Sequence, residues 1–303
     1  MLSDQINRRE FFIRTGAWGT GSLLAMAASS DAGKKKRVKL STPSARKIGW
    51  RLACQLYTLR DRSFYEALDV IAKLGIRNVE PCFFLPLSKE NPDLKTSESL
   101  PPNMRRELRK RLDDYGIKMV NYYAPVDSKT EAFRKIFDFA KEMGVKTLVA
   151  EPPTEVFDKI EELCNEYEIN LAIHNHPKSP DSKYWRPENV LEVCEGRGKR
   201  IGACPDTGHY VRSGLDPVEC LKKLKKRIIS LHLKDVAESG RPEARDVPLG
   251  TGKANYNDVL KELYAQRFRG VMTIEYEHLS PQLVEDVEKC VKFVEAFAGS
   301  LKG

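Results

Sequence analysis

The chain has little of what most often announces a function. Its seven cysteines (Cys54, Cys82, Cys164, Cys194, Cys204, Cys220, Cys290) are an odd number, widely spaced and without a C-x-x-C pair. No disulfide framework or paired-cysteine motif is indicated, and the thiols read as buried and free. Histidine is scarcer still, at five. No Ser/His/Asp or Cys/His spacing points to nucleophilic catalysis. Gly250-Thr251-Gly252-Lys253 has Ala254 where a Walker loop requires Ser or Thr, and it does not continue as G-x-G-x-x-G. That excludes a phosphate loop and leaves a turn near the substrate. Charge of one sign is also missing once it is located. The net charge of +8 lies mostly in residues 29–47, where Lys34, Lys35, Lys36, Arg37, Lys39, Arg46 and Lys47 face only Asp31. Residues 48–303 are close to neutral, which argues against nucleic acid as a partner.

What is present begins with an address. Asn7-Arg8-Arg9-Glu10-Phe11-Phe12 sets paired arginines before two aromatics, and a Gly/Ala-rich segment follows with Ala25-Met26-Ala27 as a small-residue cleavage site. Residues 1–28 resemble a twin-arginine export signal, 29–47 read as a basic linker, and 48–303 as one catalytic domain. The apolar segment is too short and glycine-rich to span a bilayer as an ordinary helix. The expected location is periplasmic, with no stable membrane insertion after signal removal.

From Gly49 onward, apolar strand, polar turn and amphipathic helix alternate eight times. Strands are expected at 52–57, 78–82, 118–123, 147–151, 170–174, 201–204, 228–233 and 271–275. The helix stops Gly75-Ile76, Gly116-Ile117 and Gly144-Val145 lead straight into strands, as in parallel βαβ units. Eight such units in this length predict a single-domain α/β fold, a (β/α)8 TIM barrel, with a doubly wound sheet as the alternative. The connection 83–100 is long enough to be an active-site loop.

The later strands end alike. The fourth stops at Glu151, and the fifth at His174-Asn175-His176. The sixth runs into Asp206-Thr207-Gly208-His209, the seventh into His232-Leu233-Lys234-Asp235, and the eighth into Glu275-Tyr276-Glu277-His278. All five histidines lie on or just past a predicted strand. In α/β barrels the carboxyl edge of the strands is where sites are built. Acids and imidazoles converging in a low-dielectric mouth are costly without a cation between them, and mixed Asp/Glu/His ligation suits Mn²⁺, Co²⁺, Mg²⁺ or Zn²⁺. Glu277 and His278, past the strand, read as solvated. Substrate contacts are expected from His176, Glu80, Tyr57, Trp185 and Arg212.

These stretches, with Gln55-Leu56-Tyr57-Thr58-Leu59-Arg60 and Pro248-Leu249-Gly250-Thr251-Gly252, give the chain a resemblance to the xylose isomerase-like superfamily of sugar isomerases and epimerases. The resemblance implies one divalent ion, Mn²⁺ before Co²⁺, Mg²⁺ or Zn²⁺. Its ligands by strand-end position would be His174, Asp206, His232 and Glu275. His174 departs from the family, which has a glutamate there as ligand and base, and Glu151 would take over as ligand, base or both. The implied chemistry is proton abstraction next to a carbonyl on a non-phosphorylated sugar or keto-sugar. Glu151 or Glu275 would move the proton, with Lys234 and His209 beside the developing oxyanion. Isomerase or epimerase is the leading expectation, and a lyase or hydratase acting on 3-keto-glycosides is the second. A non-catalytic carbohydrate-binding barrel with aromatics such as Tyr122 and Tyr184 stacking on sugars is the third. A nuclease of the same fold would need histidines where the second and third strands carry Glu80-Pro81-Cys82 and Tyr122-Tyr123. A homo-oligomer is compatible with the sequence.

Overall fold

The computed structural model describes residues 42–127 and 129–301. The expected export signal and most of the expected linker lie outside the described residues. The parallel strands are Trp50–Gln55, Asn78–Glu80, Lys118–Met119 continued by Asn121–Tyr123, Thr147–Ala150, Asn170–His174, Ile201–Cys204, Ser230–Leu233 and Gly270–Ile274. They run in chain order around a barrel, first to eighth. The ladder falls into two ribbons. One joins Lys118–Met119, the second, first, eighth and seventh strands; the other joins Asn121–Tyr123, the fourth, fifth and sixth. Two seams close the barrel through isolated bridges, Cys82 to Tyr123 on one side and Ala203 to Ile228 and Asp206 to His232 on the other. The strands are buried along nearly their whole length, as a sheet covered on both faces requires.

Helices follow the strands where apolar periodicity places them. Phe64–Leu74 opens on a capping box in which Ser63 and Glu66 satisfy each other's backbone N–H, and it stops at Gly75 with φ +79°. Pro102–Tyr115 ends likewise at Gly116, φ +61°. Leu283–Ser300 lays Val287, Val291 and Val294 on the core. Its Glu295 carboxylate accepts from the backbone N–H groups of Ser44 (2.8 Å) and Ala45 (3.0 Å) in the helix Pro43–Lys47. The packed domain therefore takes in Pro43, ahead of the boundary expected from composition. Among the described residues, no helix is long and apolar enough to cross a membrane.

Two elements near the mouth were not expected. The helix Thr207–Arg212 follows the sixth strand directly, with the Asp206 side chain accepting from His209 N. An antiparallel pair, Asp235–Val236 with Asp246–Val247, lies beyond the seventh strand. The Asp235 carboxylate accepts from the backbone N–H of Gly250 (3.0 Å), Gly252 (2.9 Å) and Ala254 (2.9 Å), pinning the glycine-rich turn beside the mouth.

Candidate active site

His174 ends the fifth strand, 2% exposed, at the centre of the mouth. Two groups of potential ligands share it. One contains His174, Asp206, His209 and Glu275; the other contains Glu151, His174 and His176. Within each group the ligand atoms lie within 4.8 Å of one another. His174 Nδ1 is 3.5 Å from Glu151 Oε1, and Nε2 is 3.7 Å from Asp206 Oδ2. His176 Nδ1 is 2.7 Å from Glu151 Oε1. Neither ring nitrogen of His174 has a hydrogen-bond partner among the described residues, while His176 Nδ1 and Asp206 Oδ2, likewise without an aligned hydrogen bond, have a charged neighbour only, Glu151 and Lys234. Buried polar atoms are nearly always partnered, so orphaned ligand-type atoms converging on one place fit a bound divalent cation.

The second feature is a buried ammonium. Lys234 Nζ lies 3.1 Å from Asp206 Oδ2, 3.0 Å from Glu275 Oε2, 3.2 Å from Glu277 Oε1 and 3.1 Å from His209 Nε2. Burial works against its charge, but the three carboxylates outweigh it and hold the lysine above its ordinary range. The side chain fits because residue 208 is glycine: a Cβ there would come within 2.5 Å of Lys234 Cγ. His209 is pushed well below the usual imidazole value, first by burial and then by the Lys234 charge. Burial would raise Glu151, but the neighbouring imidazoles of His176 and His174 outweigh it and move the carboxyl well below the usual range. Burial would lower His174, but the Asp206 and Glu151 carboxylates beside its ring outweigh it and raise the imidazole.

The structure brings Glu151, His174, His176, Asp206, His209, Lys234 and Glu275 together. It distributes the other expected site residues differently. His232 is at the site, but its ring nitrogens meet carboxylates, Nδ1 at 3.0 Å from Glu275 Oε2 and Nε2 at 2.7 Å from Glu80 Oε1. His209 offers the ring nitrogen in the ligand group instead. Glu80, expected to touch substrate, is fully buried. It takes His232 on one oxygen and Asn121 Nδ2 (2.9 Å) and Thr273 Oγ1 (3.3 Å) on the other, so both of its oxygens are engaged by other side chains. Arg212 is likewise committed. Its guanidinium donates to Glu277 Oε2 (2.5 Å), Asp246 Oδ1 (2.6 Å) and the Ala244 carbonyl (3.0 Å) and lies 3.2 Å from His209 Nδ1. Glu277 is therefore an ion-pair member rather than a solvated acid. Tyr57 and Trp185 are half-buried, Tyr57 edge-on to Phe84 and Trp185 beneath Lys178. Tyr122 and Tyr184, once candidates for stacking on sugar, are buried. Asp246 was missed, and no local spacing signals it: burial raises its carboxyl to about 7 against the Lys234 charge.

A closed parallel barrel with carboxylates, imidazoles and a fixed ammonium gathered at its carboxyl edge defines an α/β-barrel enzyme built to handle charge at a metal-competent mouth. The chain belongs to the xylose isomerase-like TIM barrel family, whose profile matches residues 68–294. It is 24% identical to an inosose dehydratase from Geobacillus thermodenitrificans (strain NG80-2), over 63% of this chain and 79% of that protein. Its fold matches a D-tagatose 3-epimerase-like protein with a TM-score of 0.67 at 20% identity, covering 83% of this chain and 100% of the other. It also matches the IOLI protein with a bound zinc atom, TM-score 0.65 at 18% identity, covering 84% and 99%.

Proposed function

We propose that the protein is a metal-dependent enzyme that removes a proton next to the carbonyl of a polyhydroxylated ketone and then expels water, a dehydratase-type lyase. The observation that carries the reading is the joint presence at one mouth of orphaned imidazole nitrogens, carboxylates and the caged Lys234. The inosose dehydratase relative favours elimination over isomerisation. A divalent ion held by ligands around His174 would supply Lewis-acid stabilisation to an oxygen that gains charge.

The chain's own groups supply the rest. Glu275 is fixed through Oε2 by Lys234 and His232, which leaves Oε1 to take the proton. Lys234, held protonated, cannot act as base and instead neutralises negative charge developing beside it. His209, its ring nitrogens 3.1 Å from Lys234 Nζ and 3.2 Å from the Arg212 guanidinium, positions the ammonium rather than the substrate. Elimination breaks one C–H and one neighbouring C–O bond; the proton and the departing hydroxide leave as water, and the product is a conjugated unsaturated ketone. An isomerase would instead return the proton to carbon, and the epimerase-like neighbour keeps that as the second reading.

The test is incubation of metal-loaded protein with keto-inositols, keto-sugars and 3-keto-glycosides in D₂O. Lyase action gives an ultraviolet-absorbing enone, and isomerase action gives deuterium at carbon without one. Absence of both products and exchange across all substrates, with metal bound, overturns the proposal. Export is part of the same reading, supported by the Arg8-Arg9 motif; cell fractionation of the full chain and of an R8K/R9K form tests it.

A further inference from the structure

The two sides of His174 are not equivalent. On the Asp206 side a cation is already built into the chain, because Lys234 Nζ touches Asp206, Glu275 and Glu277 at 3.0–3.2 Å. Its stem lies against Gly208 and its backbone N–H is held by Thr207 Oγ1 (3.1 Å), so the ammonium has no slack with which to leave. A divalent ion among the same oxygens would lie next to it and be repelled in a low-dielectric mouth. On the Glu151 side the carboxylate meets the Tyr123 hydroxyl (2.7 Å) and the two imidazoles His176 and His174. His174, its side chain 2% exposed, has no hydrogen-bond partner at Nδ1, and His176 Nδ1 is buried with the Glu151 carboxylate 2.7 Å away but no aligned hydrogen bond.

The geometry points to a divalent-cation site formed by Glu151, His174 Nδ1 and His176 Nδ1, displaced around the mouth from the Asp206–Glu275 carboxylates that Lys234 neutralises. The proposal rests on the metal-dependent reading above and says where the ion sits. His-x-His is what such a site requires: residues two apart in extended chain share a face, and the two rings stand 4.8 Å apart. Two imidazoles and one carboxylate, with coordination positions left open, form a ligand set known for catalytic divalent metals. The support behind the ligands is also present. Tyr123 orients Glu151, and Asn175, between the two histidines, clamps the Asp206 backbone by accepting from its N–H (2.8 Å) and donating to its carbonyl (3.2 Å). The ion and the ammonium would then flank the substrate, each facing one of two neighbouring oxygens.

The decisive measurement is anomalous scattering from crystals of the full chain soaked in Mn²⁺, with calorimetric Mn²⁺ titration of variants beside it. The ion is expected between Glu151, His174 and His176. Glu151→Gln and His176→Ala should weaken Mn²⁺ binding at least tenfold, while Glu275→Gln should change it less than threefold. An ion found between Asp206 and Glu275, or binding lost in Glu275→Gln and kept in His176→Ala, overturns the site and leaves the proposed reaction standing. An ion at the expected place with no deuterium exchange in any substrate does the reverse. No ion at all overturns the site.

Discussion

Lys234 shows what one side chain does in this barrel. A buried ammonium serving three carboxylates is costly to remove, since it leaves them uncompensated, and breaking such a set costs about 3–5 kcal/mol. Lys234→Met should lose about that much stability in urea titration and abolish turnover; stability equal to the parent would show that the ammonium is not the counter-ion. Gly208 makes the complementary prediction. Its Cβ would meet Lys234 Cγ at 2.5 Å and Cβ and Cδ at 2.9 Å, and overpacking of that kind costs about 1–3 kcal/mol. Gly208→Ala should show that loss by thermal melting, with activity falling further than stability accounts for because the ammonium is displaced. These contacts also mark where sequence reading stops. His174, Asp206, His209, Lys234 and Glu275 are legible because each lies at or just past the end of an apolar strand. Their pairing is not: the arrangement that spends Arg212 on Glu277 and Asp246 joins residues from three separate segments, and no spacing along the chain encodes it.

At the level of elements, local rules were reliable where one residue type carries them. Gly75, Gly116 and Gly144 were read as helix stops, and each adopts the left-handed conformation that such a stop needs. The helix Thr207–Arg212 is not evident from the sequence, because an acid just past a strand points as readily to a ligand as to a cap; here Asp206 caps the helix and faces the site together. Asp235 ties the turn 250–254 to the mouth by charge-assisted hydrogen bonds, each worth about 1.5–3 kcal/mol. Asp235→Ala should therefore cost at least about 3 kcal/mol and speed tryptic cleavage at Lys253, read by mass spectrometry. The capping box supplies a pH prediction. Bonds from Lys89 and Ser63 lower Glu66 from 4.5 to about 2. A depressed carboxylate adds stability above its ordinary value and loses it as pH falls toward its folded value. Glu66→Gln should thus flatten the acid limb of the stability curve between pH 5 and 2, by less than about 1 kcal/mol because the pair is surface-screened. A steeper limb in the variant would contradict the sign.

For the whole molecule, the barrel and its site are thermodynamically one object. A ligand that binds only the folded state stabilises it by about 2.7 kcal/mol at a hundred times its dissociation constant. For a domain of this size that corresponds to about 5–10 °C in Tm. Mn²⁺ at that level should raise the melting point by that amount, and a chelator should reverse it; a melt indifferent to both would mean that the orphaned nitrogens bind no ion.

The seams give this coupling a shape. The barrel is two ribbons whose edges meet through a few isolated bridges, and each join carries a polar clasp near the carboxyl edge of the strands. Asn121 reaches across one to Glu80, and Lys234 reaches across the other to Asp206. Side chains at the candidate site are thus also the fasteners that keep the cylinder shut. A barrel fastened at its mouth should open from that end. The seam amides of Ile229 and His232, bonded to Ala203 and Pro205 across the join, should exchange hydrogen faster in Lys234→Met while those of the fourth and fifth strands keep their protection.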